Sequence, residues 1–184
     1  LASYHGHAEL TALLVERGAD VNTQNDRGQT PLAGAGRLGF VSADLMHITL
    51  KFLGEIPESA VNPLIKAVDA LQTQPYSVDV SRVSTFGRPP RVIKAEVHDH
   101  DASAKLAADL DAALSLLGYP RDAQKFSPHI TIARVKEYSP ALLPKVAAVR
   151  DTVFGTADIT ELLIKKSVLT PAGPIYTTIH RKSL

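Results

Sequence analysis

The chain has 184 residues, a formal net charge of +1 and 45% hydrophobic residues, enough apolar matter for one domain with a real core, which excludes wholesale disorder. It has no cysteine, which excludes disulfides, thiolate nucleophiles and cysteine-held zinc and fits a reducing, cytoplasmic setting. Residues 1–35 hold two basic and four acidic groups and the remainder eighteen and fifteen, a mildly basic body suited to a short anion rather than to long duplexes. No apolar run nears the roughly 20 residues of a membrane span and no secretory leader is read, so no membrane role is expected.

The first predicted element is a short amphipathic helix in AELTALLVERG, with Leu10, Leu13 and Leu14 on one stripe and Gly18 as its stop. Gly18-Ala19-Asp20-Val21-Asn22 and Gly28-Gln29-Thr30-Pro31-Leu32 follow as turns. With His5-Gly6-His7 and Leu13-Leu14, this stretch resembles one ankyrin repeat, departing from it where Ala33 follows Thr-Pro-Leu. Gly34, Gly36 and Gly39 then break the run, so the next helix of a repeat never arrives. One repeat cannot bury its own face, which makes the segment the torn end of an array or a helix packed on something else. A seam near residue 36 is expected, dividing an ankyrin-like piece over 1–35 from a body over 36–184.

From residue 40 the pattern turns mixed. The periodicity predicts a strand over 45–53, a helix over 58–72, strands over 76–86 and 91–97, and a helix over 102–117. A strand over 127–135, a helix over 140–150, and strands over 158–169 and 175–181 complete it. Strand, helix, strand, strand follows His47, and the same order follows His129. The second copy has a strand and helix before it; before the first, 8–17 could be the helix, but no strand precedes it. The first lobe therefore reads as one strand short.

Both copies contain His-Ile-Thr, in MHITLKFLGE at 46–55 and SPHITIARV at 127–135. Alternate strand residues share a face, so His47, Thr49 and Lys51 are expected to point one way while Ile48, Leu50 and Phe52 enter the core. His129 and Thr131 repeat the arrangement over Ile130 and Ile132. Two imidazoles facing one cleft suit chemistry that needs a base and an acid on opposite sides of a phosphorus atom, because each titrates near neutrality. Threonine hydroxyls can donate to phosphate oxygens. Two strand-edge histidines beside β-favouring threonines would leave the same spacing, and only the matched contexts weigh against that.

His47-Ile48-Thr49-Leu50-Lys51-Phe52-Leu53-Gly54-Glu55 and His129-Ile130-Thr131-Ile132-Ala133-Arg134 resemble the paired motifs of the 2H phosphoesterases. Within them, the RNA 2′,3′-cyclic phosphodiesterases, also called 2′-5′ RNA ligases, are the nearest group. The resemblance continues through Phe86-Gly87-Arg88-Pro89-Pro90-Arg91-Val92 and Ser167-Val168-Leu169-Thr170-Pro171-Ala172-Gly173-Pro174-Ile175-Tyr176, and spans about 38–184. It implies an α+β fold of two pseudo-twofold lobes, with two antiparallel sheets flanking a cleft, helices outside, and no metal or other cofactor. The family also opens with a strand and helix that this chain lacks, and the ankyrin-like piece stands in their place.

The implied reaction is hydrolysis of an RNA 2′,3′-cyclic phosphate to a 2′-phosphate, with His47 and His129 as acid and base. The residues do not assign the two roles; His129 as base is the working choice. A 5′-hydroxyl in place of water would give a 2′-5′ bond. Thr49 and Thr131 would hold phosphate oxygens, and Tyr176 would line the cleft and stack on a base, or simply pack in a half-buried strand. Arg134 would add a phosphate contact, but its parity from His129 requires a strand end or a bulge. Lys51 would contact the substrate or carry a solvated charge. The expected partners are RNA ends or cyclic nucleotides, with a protein partner through the ankyrin-like segment; the alternative is a non-catalytic hybrid that binds RNA or protein. His98-Asp99-His100-Asp101 invites a metal, but its place before a helix favours a polar turn with Asp101 as N-cap. Arg88 and Arg91 flank Pro89-Pro90 as RNA contacts or solvated loop charges.

Overall fold

The computed structural model describes residues 36–170 and 173–184. The ankyrin-like piece, with His5 and His7, and the expected loss of a first strand and helix lie outside them. The fold is α+β. A five-stranded antiparallel sheet has the order β1-β4-β3-β2-β5, from β1 (Gly36–Phe40), β2 (Tyr76–Phe86), β3 (Val92–His98), β4 (His129–Tyr138) and β5 (Val153–Ile159). A second sheet pairs β6 (Glu161–Thr170) with β7 (Gly173–Ser183). The helices are α1 (Val61–Asp69), α2 (Ala102–Ser115) and α3 (Leu142–Ala148). None among the described residues is long and apolar enough to cross a membrane.

One core joins the elements. Leu106, Leu110 and Leu114 of α2 recur every four residues and form one buried stripe, and Leu64 and Val68 do the same on α1. Ile93, Ala95 and Val97 line the core face of β3 at a period of two. The period slips in β2, where Val78 and Val80 are followed by Val83. The ladder steps from Ser81 to Val83 there, leaving Arg82 as a bulge at φ 55°. A second slip lies in β4. Lys94 faces Thr131 and Ile93 faces Ala133, so Ile132 is the extra residue.

The structure corrects four sequence expectations. GRLGF over 36–40 is a strand, paired antiparallel with Ala133–Tyr138, although its glycines read as breakers. Strand propensity is weak there, but β4 supplies the backbone partners, and Gly39 lies where a Cβ would come within 2.8 Å of Lys136 Cε. The predicted strand over 45–53 is instead irregular, joined to β4 by the single bridge Ile48–Ile130. Val41 N–H donates to Ile132 C=O at 2.9 Å, and a 3-10 turn over Ala43–Leu45 then loops the chain out before Ile48 rejoins β4. The predicted strand over 158–169 is two strands, parted at Thr160. Finally, the Asp101 side chain makes no cap; Asp99 turns inward and accepts from Ser103 N–H at 2.9 Å.

Candidate active site

The Ile48–Ile130 bridge is the centre of the site. In an antiparallel pair, the residues flanking a bridge oppose one another, so His47 lies across from Thr131 and Thr49 across from His129. Ile48 and Ile130 are both buried, which turns all four polar side chains to the opposite face. The two motifs thus cross at one point, each histidine beside the other's threonine. Neither threonine hydroxyl is engaged by another described side chain.

Each imidazole is held in the same way. His47 Nδ1 lies 2.7 Å from the Leu45 carbonyl and His129 Nδ1 lies 2.8 Å from the Ser127 carbonyl, two residues back in both cases. A carbonyl only accepts, so Nδ1 carries the proton and Nε2 is left for chemistry. An aromatic edge packs each ring: Tyr176 against His47 at 5.5 Å and Phe86 against His129 at 4.9 Å between centroids. Each aromatic ring in turn has a lysine over its face, Lys94 at 4.2 Å from Phe86 and Lys165 at 6.0 Å from Tyr176. The pseudo-twofold therefore extends beyond the motifs to a histidine, an aromatic ring and a lysine on each side.

Register explains how these side chains reach one cleft. Ser84, Phe86, Lys94 and Glu96 share the face opposite the core, with Lys94 across from Thr131 and Glu96 across from His129. The extra residue at Ile132 restores Arg134 to that face, and its charge reaches His47. In the other sheet, a register shift beside Ile164 sets Lys165 and Tyr176 on one face through the pairs Lys165–Thr178 and Ser167–Tyr176.

Burial pushes both imidazoles below their ordinary value of 6.5; Lys165 and Arg134 act in the same direction at His47, and Lys94 does so at His129. The carbonyls of Leu45 and Ser127 oppose the shift without reversing it. Burial also lowers Lys94, 7% exposed, and Lys165. An anion bound among these cations would push both imidazoles back up, so a phosphate could itself ready one of them as an acid. Replacing Lys94 by Met should raise the pKa of the His129 ring, read as an upward move of its NMR titration midpoint. An unmoved midpoint would remove Lys94 as a tuning charge.

Among the residues expected at the site, His47, His129, Thr49, Thr131, Arg134 and Tyr176 are gathered here. Lys51 is not. The alternation fails after Leu50: Phe52 is 75% exposed and Lys51 is 5% exposed. Lys51 Nζ lies 2.5 Å from Asp111 Oδ1, 2.9 Å from the Pro120 carbonyl and 3.2 Å from Asp122 Oδ1. Its three donors are taken, so it anchors the His47 segment to α2 and the loop beyond instead of reaching a ligand. Arg88 and Arg91 are exposed at the β2–β3 turn. Phe86, Lys94 and Lys165 join the site without any sequence pattern that singles them out. Strand parity turns Lys94 away from the core, but only the approach of the second lobe makes that face a cleft.

The fold defines a phosphoesterase of the 2H superfamily, and the two His-Ile-Thr segments of this chain cross at Ile48–Ile130 within it. The chain belongs to the LigT like Phosphoesterase family, which matches residues 24–94 and 97–176 and so begins upstream of the seam expected near residue 36. It is 32% identical over 151 residues to the RNA 2′,3′-cyclic phosphodiesterase of Archaeoglobus fulgidus, covering 81% of this chain and 85% of that one. The crystal structure of TT0787 of Thermus thermophilus is similar at 28% identity and a TM-score of 0.76, over 99% of this chain and 95% of that one. E. coli LigT complexed with 3′-AMP shares the fold, with a TM-score of 0.77 at 22% identity, over 99% and 95% of the two chains.

Proposed function

We propose that the protein hydrolyses the 2′,3′-cyclic phosphate at RNA ends to a 2′-phosphate by acid–base catalysis between His47 and His129. The observation that carries this reading is the crossing of the two motifs at Ile48–Ile130, with Nδ1 of each imidazole on a carbonyl and Nε2 without a partner among the described residues. One imidazole takes a proton from water as its oxygen bonds to phosphorus, and the other gives a proton to O3′ as the P–O3′ bond breaks. The products are a 3′-hydroxyl and a 2′-phosphate, and each histidine ends in the state from which the other began. Thr49 and Thr131 donate to the non-bridging oxygens, and Arg134, Lys94 and Lys165 stabilise their charge. The same two proton carriers also support ligation, in which a 5′-hydroxyl of RNA takes the place of water, gives its proton to the base and forms a 2′-5′ bond as the P–O3′ bond breaks and O3′ takes a proton from the acid.

The relatives named for this activity support the substrate class, and the 3′-AMP complex of E. coli LigT supports a nucleotide in a fold of this kind. The reading includes an ankyrin-like piece over 1–35 that offers a surface to a protein partner, joined to a phosphoesterase body over 36–184. The test is hydrolysis of a 2′,3′-cyclic nucleotide in the presence of EDTA, with the product isomer identified by phosphorus NMR. Release of the 2′-phosphate is expected, undiminished by the chelator. No turnover in the unaltered protein would favour the non-catalytic alternative, and loss of turnover with EDTA would remove the purely acid–base mechanism.

A further inference from the structure

We propose that the groove between β2 and α3 binds the ribonucleotide adjoining the cyclic-phosphate end, its phosphodiester on Arg82 and Arg150 and its base against the apolar side of α3. This rests on the reading that the neighbouring cleft holds the RNA end. The groove encloses about 320 Å³, and its walls include Arg82, Ser84, Glu96, Leu143, Val146 and Arg150. Its position, its charge and its backbone each point to this occupant.

Ser84 and Glu96 belong both to the groove and to the cleft face of the five-stranded sheet. Ser84 is paired with Lys94 and Glu96 with His129, so the groove continues from the site rather than lying behind it. From β4 to β2 is two strand spacings, about 10 Å, a span that one or two nucleotides and an arginine side chain can bridge. A strand of RNA leaving the cyclic phosphate along this face meets the groove next.

The groove carries two guanidinium groups against one carboxylate. Among the described residues, the ion-pair partner of Arg82 is Glu96, at 3.9 Å, while Arg150 has none. Glu96 also accepts from the Ser84 hydroxyl at 2.9 Å. One positive charge therefore remains uncompensated beside a site that is itself cationic, which suits a second phosphate. Leu143, 46% exposed, and Val146 supply the apolar wall for a base.

The backbone aims both arginines at the groove. In an unbroken strand Arg82 would follow Ser81 toward the core; the bulge turns it outward and returns Val83 to the core. A positive φ of 55° is uncommon for a residue other than glycine, and here the chain beyond α3 holds it. Arg82 N–H donates to Thr152 C=O at 2.7 Å and Val83 N–H to Arg150 C=O at 2.8 Å. The bulge that presents Arg82 is thus bonded to the segment that carries Arg150.

The test compares kcat/KM for a 2′,3′-cyclic mononucleotide with that for a dinucleotide ending in the same cyclic nucleotide. The dinucleotide should be favoured by about tenfold, the scale of one charge-assisted phosphate contact. Arg150→Ala and, separately, Arg82→Gln should bring the ratio toward one and flatten its salt dependence. Arg150 is exposed, so its substitution leaves the fold intact even where Arg82→Gln disturbs the bulge. A ratio near one in the unaltered protein, or an advantage that survives Arg150→Ala, overturns the proposal. If the mononucleotide is not hydrolysed at all, the reading of the cleft fails instead. The groove is then judged by fluorescence anisotropy with a labelled oligoribonucleotide ending in a 3′-hydroxyl. Weaker binding by Arg150→Ala supports the groove, and equal binding overturns it.

Discussion

His47→Ala and His129→Ala should each lower kcat/KM for a 2′,3′-cyclic nucleotide by about 10²–10⁴-fold, the range of one positioned acid or base. That range corresponds to about 3–5 kcal/mol of lost transition-state stabilisation. Stability should move by only about 1 kcal/mol, since each ring gives up one backbone hydrogen bond and one aromatic edge. The double variant should be little worse than either single one, because the acid and the base act in one transition state. Initial rates beside thermal melts separate these effects. A single variant that keeps a tenth of the activity would end the paired mechanism.

In the proposed mechanism the same two groups should set the pH dependence. The profile of kcat/KM reports the free enzyme, in which both imidazoles titrate below 6.5. One must be protonated and one neutral, so the optimum lies between the two values and hence on the acid side of 6.5. A bound phosphate raises both, and the kcat profile should therefore sit at higher pH than that of kcat/KM. Coincident profiles would show that the bound anion does not couple to the rings.

Lys51→Met is expected to cost about 3 kcal/mol of stability, the low end for breaking a buried ion pair by removing one partner. The low end applies because Asp122 and part of Asp111 still reach water once the ammonium is gone. Burial alone would lower the Lys51 ammonium, but its hydrogen bonds to Asp111 and Asp122 outweigh that and hold the pKa above 10.5. The Asp111 carboxyl is held below 3.8, chiefly by its hydrogen bond from Lys51. The depressed carboxyl contributes stability above about 3.8 that is lost as pH falls through its folded value. The raised ammonium contributes stability below about 10.5 that is lost as pH rises through its folded value. The full difference between Lys51→Met and the unaltered protein should therefore appear at pH 7 and shrink in strong acid. Urea unfolding at pH 7 and pH 3 measures it. A difference that does not change between the two would mean that Lys51 acts through packing and not charge. Because Lys51 lies four residues beyond His47, on a segment joined to β4 by a single bridge, kcat should also fall more than KM rises.

Much of this protein is legible in its residues, for identifiable reasons. Ile93, Ala95 and Val97 alternate cleanly, so β3 is read close to its true span, and the leucine stripe of α2 is equally plain. The bulges are written there too, as Val78-Val80-Val83 and as Ile130 followed by Ala133, once a slip in period is taken as a signal. The strand at 36–40 is hidden because its glycines carry no side-chain pattern and its stability comes from β4. Lys51 escapes the sequence pattern for a similar reason. Parity extrapolates a straight strand, whereas this irregular segment keeps the alternation of buried and half-buried residues only as far as Leu50.

By itself, the sequence determines that two His-Ile-Thr units stand on apolar segments with an imidazole and a hydroxyl on one face. That follows from the period of two, a local property of extended backbone. It also supplies the family motifs around them and the mild positive charge that suits an anion. Only the tertiary structure decides that the two units cross at Ile48–Ile130, that Phe86, Tyr176, Lys94 and Lys165 close round them, and that Lys51 turns away. Those facts depend on which strand edges meet, and edge pairing is fixed by contacts between residues some 80 positions apart, which no local pattern encodes.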